Sequence, residues 1–294
     1  VAHKVRIGML GNCQAGPLSQ ILQATLPDVV VERVVTVHLA KDEDRAEAHE
    51  TFRDCDLILA QRVADNYPCT FVRNNELKGA FGSKVIVWPN LYYRGYNPEL
   101  VYVKDAVTGG PLPSPLGNFH SRTVHDAWVE GVPATEAAER HSSIDFNRER
   151  YARVPDESLK ELREREADCD VVISDWVAEH RWDRQIFFTF NHPTRAALAE
   201  LVRRVIDSSG LLHDGLTHEV SVSGPPEPLG RYRLPLNPWI HHDLATGLES
   251  VPTFQGNEVA FIDGVPQAEK AVAHLPLSSF VETSYRVYDA HFGS

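Results

Sequence analysis

At 294 residues, 43% hydrophobic and 24% charged, the chain has an ordinary globular composition with room for one large or two modest cores. A formal net charge of −12 excludes generic nucleic-acid binding, which needs a basic field to displace counterions. The four cysteines, Cys13, Cys55, Cys69 and Cys169, form no CxxC pair, so no zinc site and no disulfide framework is expected, and a reducing cytoplasm is the expected setting. No apolar run reaches the about 20 residues of a membrane span, and Val1-Ala2-His3-Lys4 lacks a signal-peptide pattern.

The run Val5 to Leu10 reads as a buried strand. The stretch Pro17 to Leu26 then places Leu18, Ile21, Leu22 and Leu26 on one helical face, with Pro17 in the first turn, where its missing N–H costs nothing. The β-branched run Val29 to Val37 predicts a second strand, Asp42 to Phe52 a polar helix, Cys55 to Ala60 a third strand and Lys84 to Pro89 a fourth. This alternation implies a parallel sheet with covering helices. Gly109 to Pro115 is a proline-rich loop. Beyond it Phe119 to Glu130, Ala134 to His141, Asn147 to Arg153 and Asp156 to Asp168 read as helices, the last capped by Asp156.

Sheet-like sequence resumes at Gln185 to Phe190. It is followed by Asn191-His192-Pro193-Thr194 and a helix from Arg195 to Ser208, whose Leu198, Leu201, Val202, Val205 and Ile206 form one stripe. Ser221 to Pro252, with Pro225, Pro226, Pro228, Pro235 and Pro238, reads as extended loop. The expected fold is α/β: a parallel sheet of about five strands with covering helices, a helical insertion and a long extended C-terminal segment. The expected division is 1–108 with 183–220 as the α/β core, 109–182 as the insertion or cap, and 221–294 as a loop-rich wrap.

Gly11-Asn12-Cys13-Gln14 joins the first strand to the first helix, a turn where nucleophiles are displayed and where a helix N-terminus lowers a thiol pKa. Cys13 is therefore the candidate nucleophile. His192, in the second strand-turn-helix unit, and His120, in Asn118-Phe119-His120-Ser121, are candidate bases. Asn12, Gln14 and Gln61 are candidate donors to a developing oxyanion. A stacking platform of Trp88, Tyr92, Tyr93 and Tyr96 is the feature a non-catalytic carbohydrate- or nucleotide-binding module would use. The run His241-His242-Asp243 invites a metal reading, but adjacent histidines on regular backbone seldom face one ion, so no metal is expected.

Five segments in order, Gly11-Asn12-Cys13-Gln14-Ala15, Leu59-Ala60-Gln61, Trp88-Pro89-Asn90 with Gly95-Tyr96-Asn97-Pro98, Phe119-His120-Ser121 and Phe190-Asn191-His192-Pro193-Thr194, resemble the WcbI family of capsular polysaccharide biosynthesis proteins over about residues 5 to 245. The resemblance implies an acetyltransferase that uses coenzyme A or acetyl-coenzyme A as substrate and modifies a sugar of a surface polysaccharide. An acyl-ester hydrolase is the alternative within catalysis. Coenzyme A carries phosphates, for which Arg62, Arg73 and Arg94, with Asn90 and Asn191, are the candidate contacts. The same order is more distantly similar to SGNH hydrolases and acyltransferases. Two positions depart from that pattern: Cys13 stands where Ser is usual, and Thr189, three before His192, stands where Asp is usual. Asp175, Asp183 or a backbone carbonyl would then have to orient the imidazole.

Overall fold

The computed structural model describes residues 4–105, 108–210, 220 and 227–293. In chain order the elements are β1 Val5–Gly11, α1 Ala15–Thr25, β2 Val29–Thr36, α2 Arg45–Arg53, β3 Leu57–Gln61, α3 Asn74–Phe81, β4 Val85–Trp88, β5 Leu100–Tyr102 and β6 Phe119–Ser121. They continue with α4 Arg122–Val129, α5 Ala134–Ser142, α6 Ile144–Tyr151, α7 Val154–Glu166, α8 Ser174–His180, β7 Phe187–Thr189, β8 His192–Pro193 and α9 Arg195–Ser209. The last are α10 Pro238–Asp243, β9 Phe254–Ile262, β10 Val265–Leu275 and α11 Leu277–Phe292. The fold is α/β, as the sequence rhythm implies.

The chain divides into two compact units. The first comprises Val1–Tyr92, Leu159–Glu179 and His192–Leu229. Its centre is a parallel sheet in the order β2-β1-β3-β4, with Ile7 opposite Leu57 and Gln61 opposite Trp88. Strands buried on both faces need continuous apolar runs, and Leu57 to Gln61 is buried at every position. Leu18, Ile21, Leu22 and Leu26 are all buried, and α1 packs beside α9, whose five-residue apolar stripe is buried too.

The second unit comprises Tyr93–Ser158, His180–Asn191 and Gly230–Ser294. It holds the short antiparallel pair β5–β6, helices α4 to α6, the β9–β10 hairpin and α11. Asp263 and Gly264 turn the hairpin, both at positive φ (51° and 80°), the backbone that a two-residue type I′ turn requires. Phe280, Val281, Ser284, Val287 and Tyr288 give α11 a buried stripe, and the Phe280 ring stacks on Phe254 with centroids 4.5 Å apart.

Several expectations change. Among the described residues the parallel sheet has four strands, because the Gln185–Phe190 run yields only the three residues of β7, in the second unit. Phe119 to Ser121 is strand, since it pairs with Leu100–Tyr102, and the helix begins after it, capped by Ser121. Helix α7 starts at Val154, so Asp156 sits in its first turn. The C-terminal segment contains a hairpin and two helices where a loop-rich wrap was expected. Of the Ser221–Pro252 loop, residues 221–226, with Pro225 and Pro226, lie outside the described residues. The first unit ends its opening stretch at Tyr92, not 108, and takes Leu159–Glu179 from the expected insertion.

Candidate active site

The order β2-β1-β3-β4 reverses direction between β1 and β3, and in open parallel sheets ligands bind outside the strand ends at such a point. The turn from Gly11 to Gln14 leaves β1 there, facing Gln61 at the end of β3. A ring of carboxamides holds the turn in place. The Asn12 N–H donates to Gln61 Oε1 (2.8 Å), Gln61 Nε2 donates to Gln14 Oε1 (3.1 Å), and Gln14 Nε2 donates to the Leu91 carbonyl (2.7 Å). The Asn12 side chain accepts from the Gln14 N–H (3.0 Å) and donates to Asn90 Oδ1 at a long 3.4 Å. Gln14 and Gln61 are buried, so these amides act as the frame of the turn, not as donors presented to a reacting oxygen.

Gly11 is required by close approach. A Cβ there would lie 2.9 Å from Cζ2 of Trp88 and 3.0 Å from the Ala15 Cβ. Trp88 is fully buried, and its carbonyl accepts from the Arg62 N–H (2.8 Å), so the end of β4 also locks the start of the next loop. Asn74, the first residue of α3, closes that loop by donating to the Gln61 carbonyl (3.0 Å) and accepting from the Val63 N–H (2.6 Å).

Cys13 is partly exposed, just ahead of α1. Burial pushes its thiol up from the ordinary value, and its own backbone N–H opposes this more weakly. This reverses the expectation of a thiol that ionises readily, because the surroundings are neutral amides. His192 stands at the head of α9, the helix packed beside α1, in the same unit. Burial holds its pKa down to about 4, so the imidazole is neutral at pH 7 and a weaker base than a free one.

Other candidates are placed differently. His120 lies in the core of the second unit, 1% exposed, with Nδ1 against the Tyr288 hydroxyl (3.0 Å) and Nε2 against the Leu112 carbonyl (2.9 Å). Both ring nitrogens are engaged, which makes it a packing histidine and not a base. Asp175 grips Arg204 with both oxygens (2.6 and 3.1 Å), and Asp183 belongs to the second unit. Of the four expected stacking rings, Trp88, Tyr93 and Tyr96 are at most 2% exposed, and the half-buried Tyr92 has the Arg165 guanidinium over its ring, 5.3 Å from the centroid. Asn191, in the second unit, donates to the Tyr102 hydroxyl (3.0 Å).

Among the three arginines, Arg62 lines a cavity of about 470 Å³ in the first unit, together with Asn74, Asn75, Lys78 and Asp168. Its guanidinium meets Asp168 at 3.2 Å, and Lys78 meets Asp170 at 3.3 Å. Arg73 donates to the Tyr67 carbonyl (2.7 Å), and the Arg94 N–H is held by Ser158 in the second unit (3.0 Å). Asn74 and Lys78 were not anticipated; the Asn74-Asn75 pair just ahead of Glu76 was a readable helix start. His241 and His242 engage the Leu248 carbonyl and Asp243 respectively. Among the described residues no group of three or more His, Cys, Asp or Glu side chains is placed to hold a metal ion.

Residues 6–213 match the model of the family described as polysaccharide biosynthesis enzyme WcbI. The chain belongs to the WcbI family. The motif resemblance is thereby borne out, and Gly11 to Gln14, Gln61, Asn90 and His192 all fall within the matched residues. The chain is also similar to a solved structure of WcbI, described as a novel polysaccharide biosynthesis enzyme. That structure is the native protein without a disulfide bond between coenzyme A and one of its cysteines. The two share 17% identity with a TM-score of 0.76, covering 99% of this chain and 91% of that one, a likeness that shows the fold. A search of curated proteins gives no match. Helices α10 and α11 and the hairpin lie beyond the residues that the WcbI family model matches.

Proposed function

We propose that this WcbI-family enzyme transfers an acyl group, acetyl in the simplest case, from acyl-coenzyme A to a hydroxyl of a surface or capsular polysaccharide sugar. The observation that carries the reading is Cys13, held by a ring of carboxamides at the switch point of the parallel sheet. The imidazole of His192 takes the proton from Sγ as the sulfur attacks the thioester carbonyl, so that no free thiolate has to form first. Coenzyme A leaves as the thiolate and recovers the proton from the imidazolium. The acyl group on Cys13 is then attacked by the sugar hydroxyl, whose proton passes through His192 to Sγ as the thiol departs. One thioester is exchanged for another, so the first step is nearly balanced. The cavity beside Arg62 and Lys78 would take the phosphates of the donor only by drawing Arg62 from Asp168 and Lys78 from Asp170, with Asp65 also on its wall. Four free cysteines suit a cytoplasmic setting, where thiols stay reduced.

Intact-protein mass spectrometry after treatment with acetyl-coenzyme A tests the covalent step. An adduct of one acetyl group is expected on the full chain and none on Cys13→Ala, with sugar acetylation reduced at least 100-fold in the variant. Near-normal turnover by Cys13→Ala without any adduct would instead show direct attack by the hydroxyl, with His192 as base. Failure of coenzyme A to raise the melting temperature at all would remove the donor.

A further inference from the structure

The head of α9 carries an arrangement that its own sequence leaves incomplete. The N-cap is Thr194, yet its hydroxyl makes no capping hydrogen bond, and the first turn contains no acidic residue. Thr194 is 5% exposed, and its Oγ1 has no hydrogen-bond partner among the described residues. A buried hydroxyl left without a partner destabilises the fold, so it calls for an explanation. The helix head also holds a negative charge from elsewhere in the chain. Oε2 of Glu227 accepts from the Arg195 N–H at 2.7 Å, and both residues belong to the first unit.

We infer that the head of α9 is a phosphoryl-binding subsite in which the Glu227 carboxylate is an internal stand-in for a ligand phosphate. A helix N-terminus presents several N–H groups without intrahelical partners and favours negative charge. Glu227 engages the first of them and leaves the Thr194 hydroxyl unpaired. A tetrahedral phosphoryl group carries enough oxygens to accept from the Arg195 N–H, a following N–H and the hydroxyl together. Arrival of the phosphoryl group displaces Glu227, charge for charge, and breaks no covalent bond. Because His192 and Pro193 immediately precede the cap, a ligand anchored here also bears on where the imidazole stands. The inference rests on Thr194, Arg195 and Glu227 and not on acyl transfer: the phosphoryl group fits a coenzyme A donor or a nucleotide-activated sugar equally.

Calorimetric titration of inorganic phosphate into the full chain, Glu227→Gln and Thr194→Val tests it. Removing the competing charge is expected to raise phosphate affinity at least threefold in Glu227→Gln. Loss of the hydroxyl is expected to lower it at least threefold in Thr194→Val, with melting curves confirming that both variants fold. Phosphate affinity that is unchanged or weaker in Glu227→Gln, accompanied only by a lower melting temperature, would make Glu227 an ordinary helix cap and overturn the proposal. So would an absence of phosphate binding in all three proteins. Competition of coenzyme A or uridine diphosphate against bound phosphate then separates the two sources. Coenzyme A that neither competes nor binds would sink the acyl-donor reading while the phosphate result stood.

Discussion

A single missing side chain decides the geometry around Cys13. Gly11 has Trp88 and Ala15 packed where its Cβ would be, so Gly11→Ala must push back either the indole or the head of α1. Overpacking of this kind costs about 1–3 kcal/mol, and the strain falls on the segment that presents the thiol. Urea unfolding of Gly11→Ala is expected to show a loss in that range, together with a slower reaction of Cys13 with iodoacetamide in the native state. A variant of unchanged stability and thiol reactivity would mean that the turn is not held by this contact. At this scale Cys13, Gln61 and His192 could be picked out as chemistry-bearing residues because strand-to-helix turns mark themselves with Gly, Asn and polar side chains. Their roles could not. Whether Gln61 faces a substrate or another carboxamide depends on the register of β1 against β3, which a one-dimensional pattern does not contain. Nor does it contain the desolvation that raises the Cys13 thiol against its own backbone N–H.

Helix α9 shows how firmly a period of 3.6 fixes an element. Its stripe is buried as its spacing requires, and Leu201, fully buried, is expected to cost about 2–5 kcal/mol on change to Ala. Arg203, on the solvent face with Glu200 and Asp207 one turn away on either side, should cost less than about 0.5 kcal/mol on the same change, because exposed ion pairs are screened. Comparable losses in chemical denaturation would contradict the placement of the two faces. The C-terminal elements carried readable signals too. Asp263-Gly264 between β-prone runs is the pattern of a two-residue hairpin turn, and Phe280, Val281, Ser284, Val287 and Tyr288 fall at helical spacing. The prolines of the preceding loop outweighed them. Conversely, Phe119 to Ser121 joined a helix in the sequence pattern because a three-residue strand exists only through its partner, Leu100–Tyr102.

Over the molecule as a whole, interleaving of three chain stretches in each unit was not legible, because the composition changes little where the chain passes from one to the other. One consequence of the second unit's core is a specific response to acid. His120 and His141 are both held down to about 4 by burial, and the same burial, only partly offset by its own backbone N–H and by amides from Asn237 and Asn97, lifts the buried Glu99 to about 7. The Glu99 carboxyl and the His141 ring stand 4.0 Å apart, so the two respond to one desolvated environment. Between pH 6.5 and about 4.5 the unfolded chain protonates both imidazoles and the folded chain neither, so stability falls as pH drops. Over the same window the folded chain keeps a proton on Glu99 that the unfolded chain has lost, which has the opposite sign. Two histidines oppose one carboxyl, and acid destabilisation is the net result. Glu99→Gln removes the opposing group, so melting temperature should fall more steeply with acid in the variant than in the parent between pH 6.5 and 4.5. Above pH 7 the parent carries a buried carboxylate that the variant lacks, which narrows or reverses any deficit of the variant there. Parallel melting curves for the two proteins across pH 4.5 to 8 would show that Glu99 does not titrate in the folded state as its burial requires.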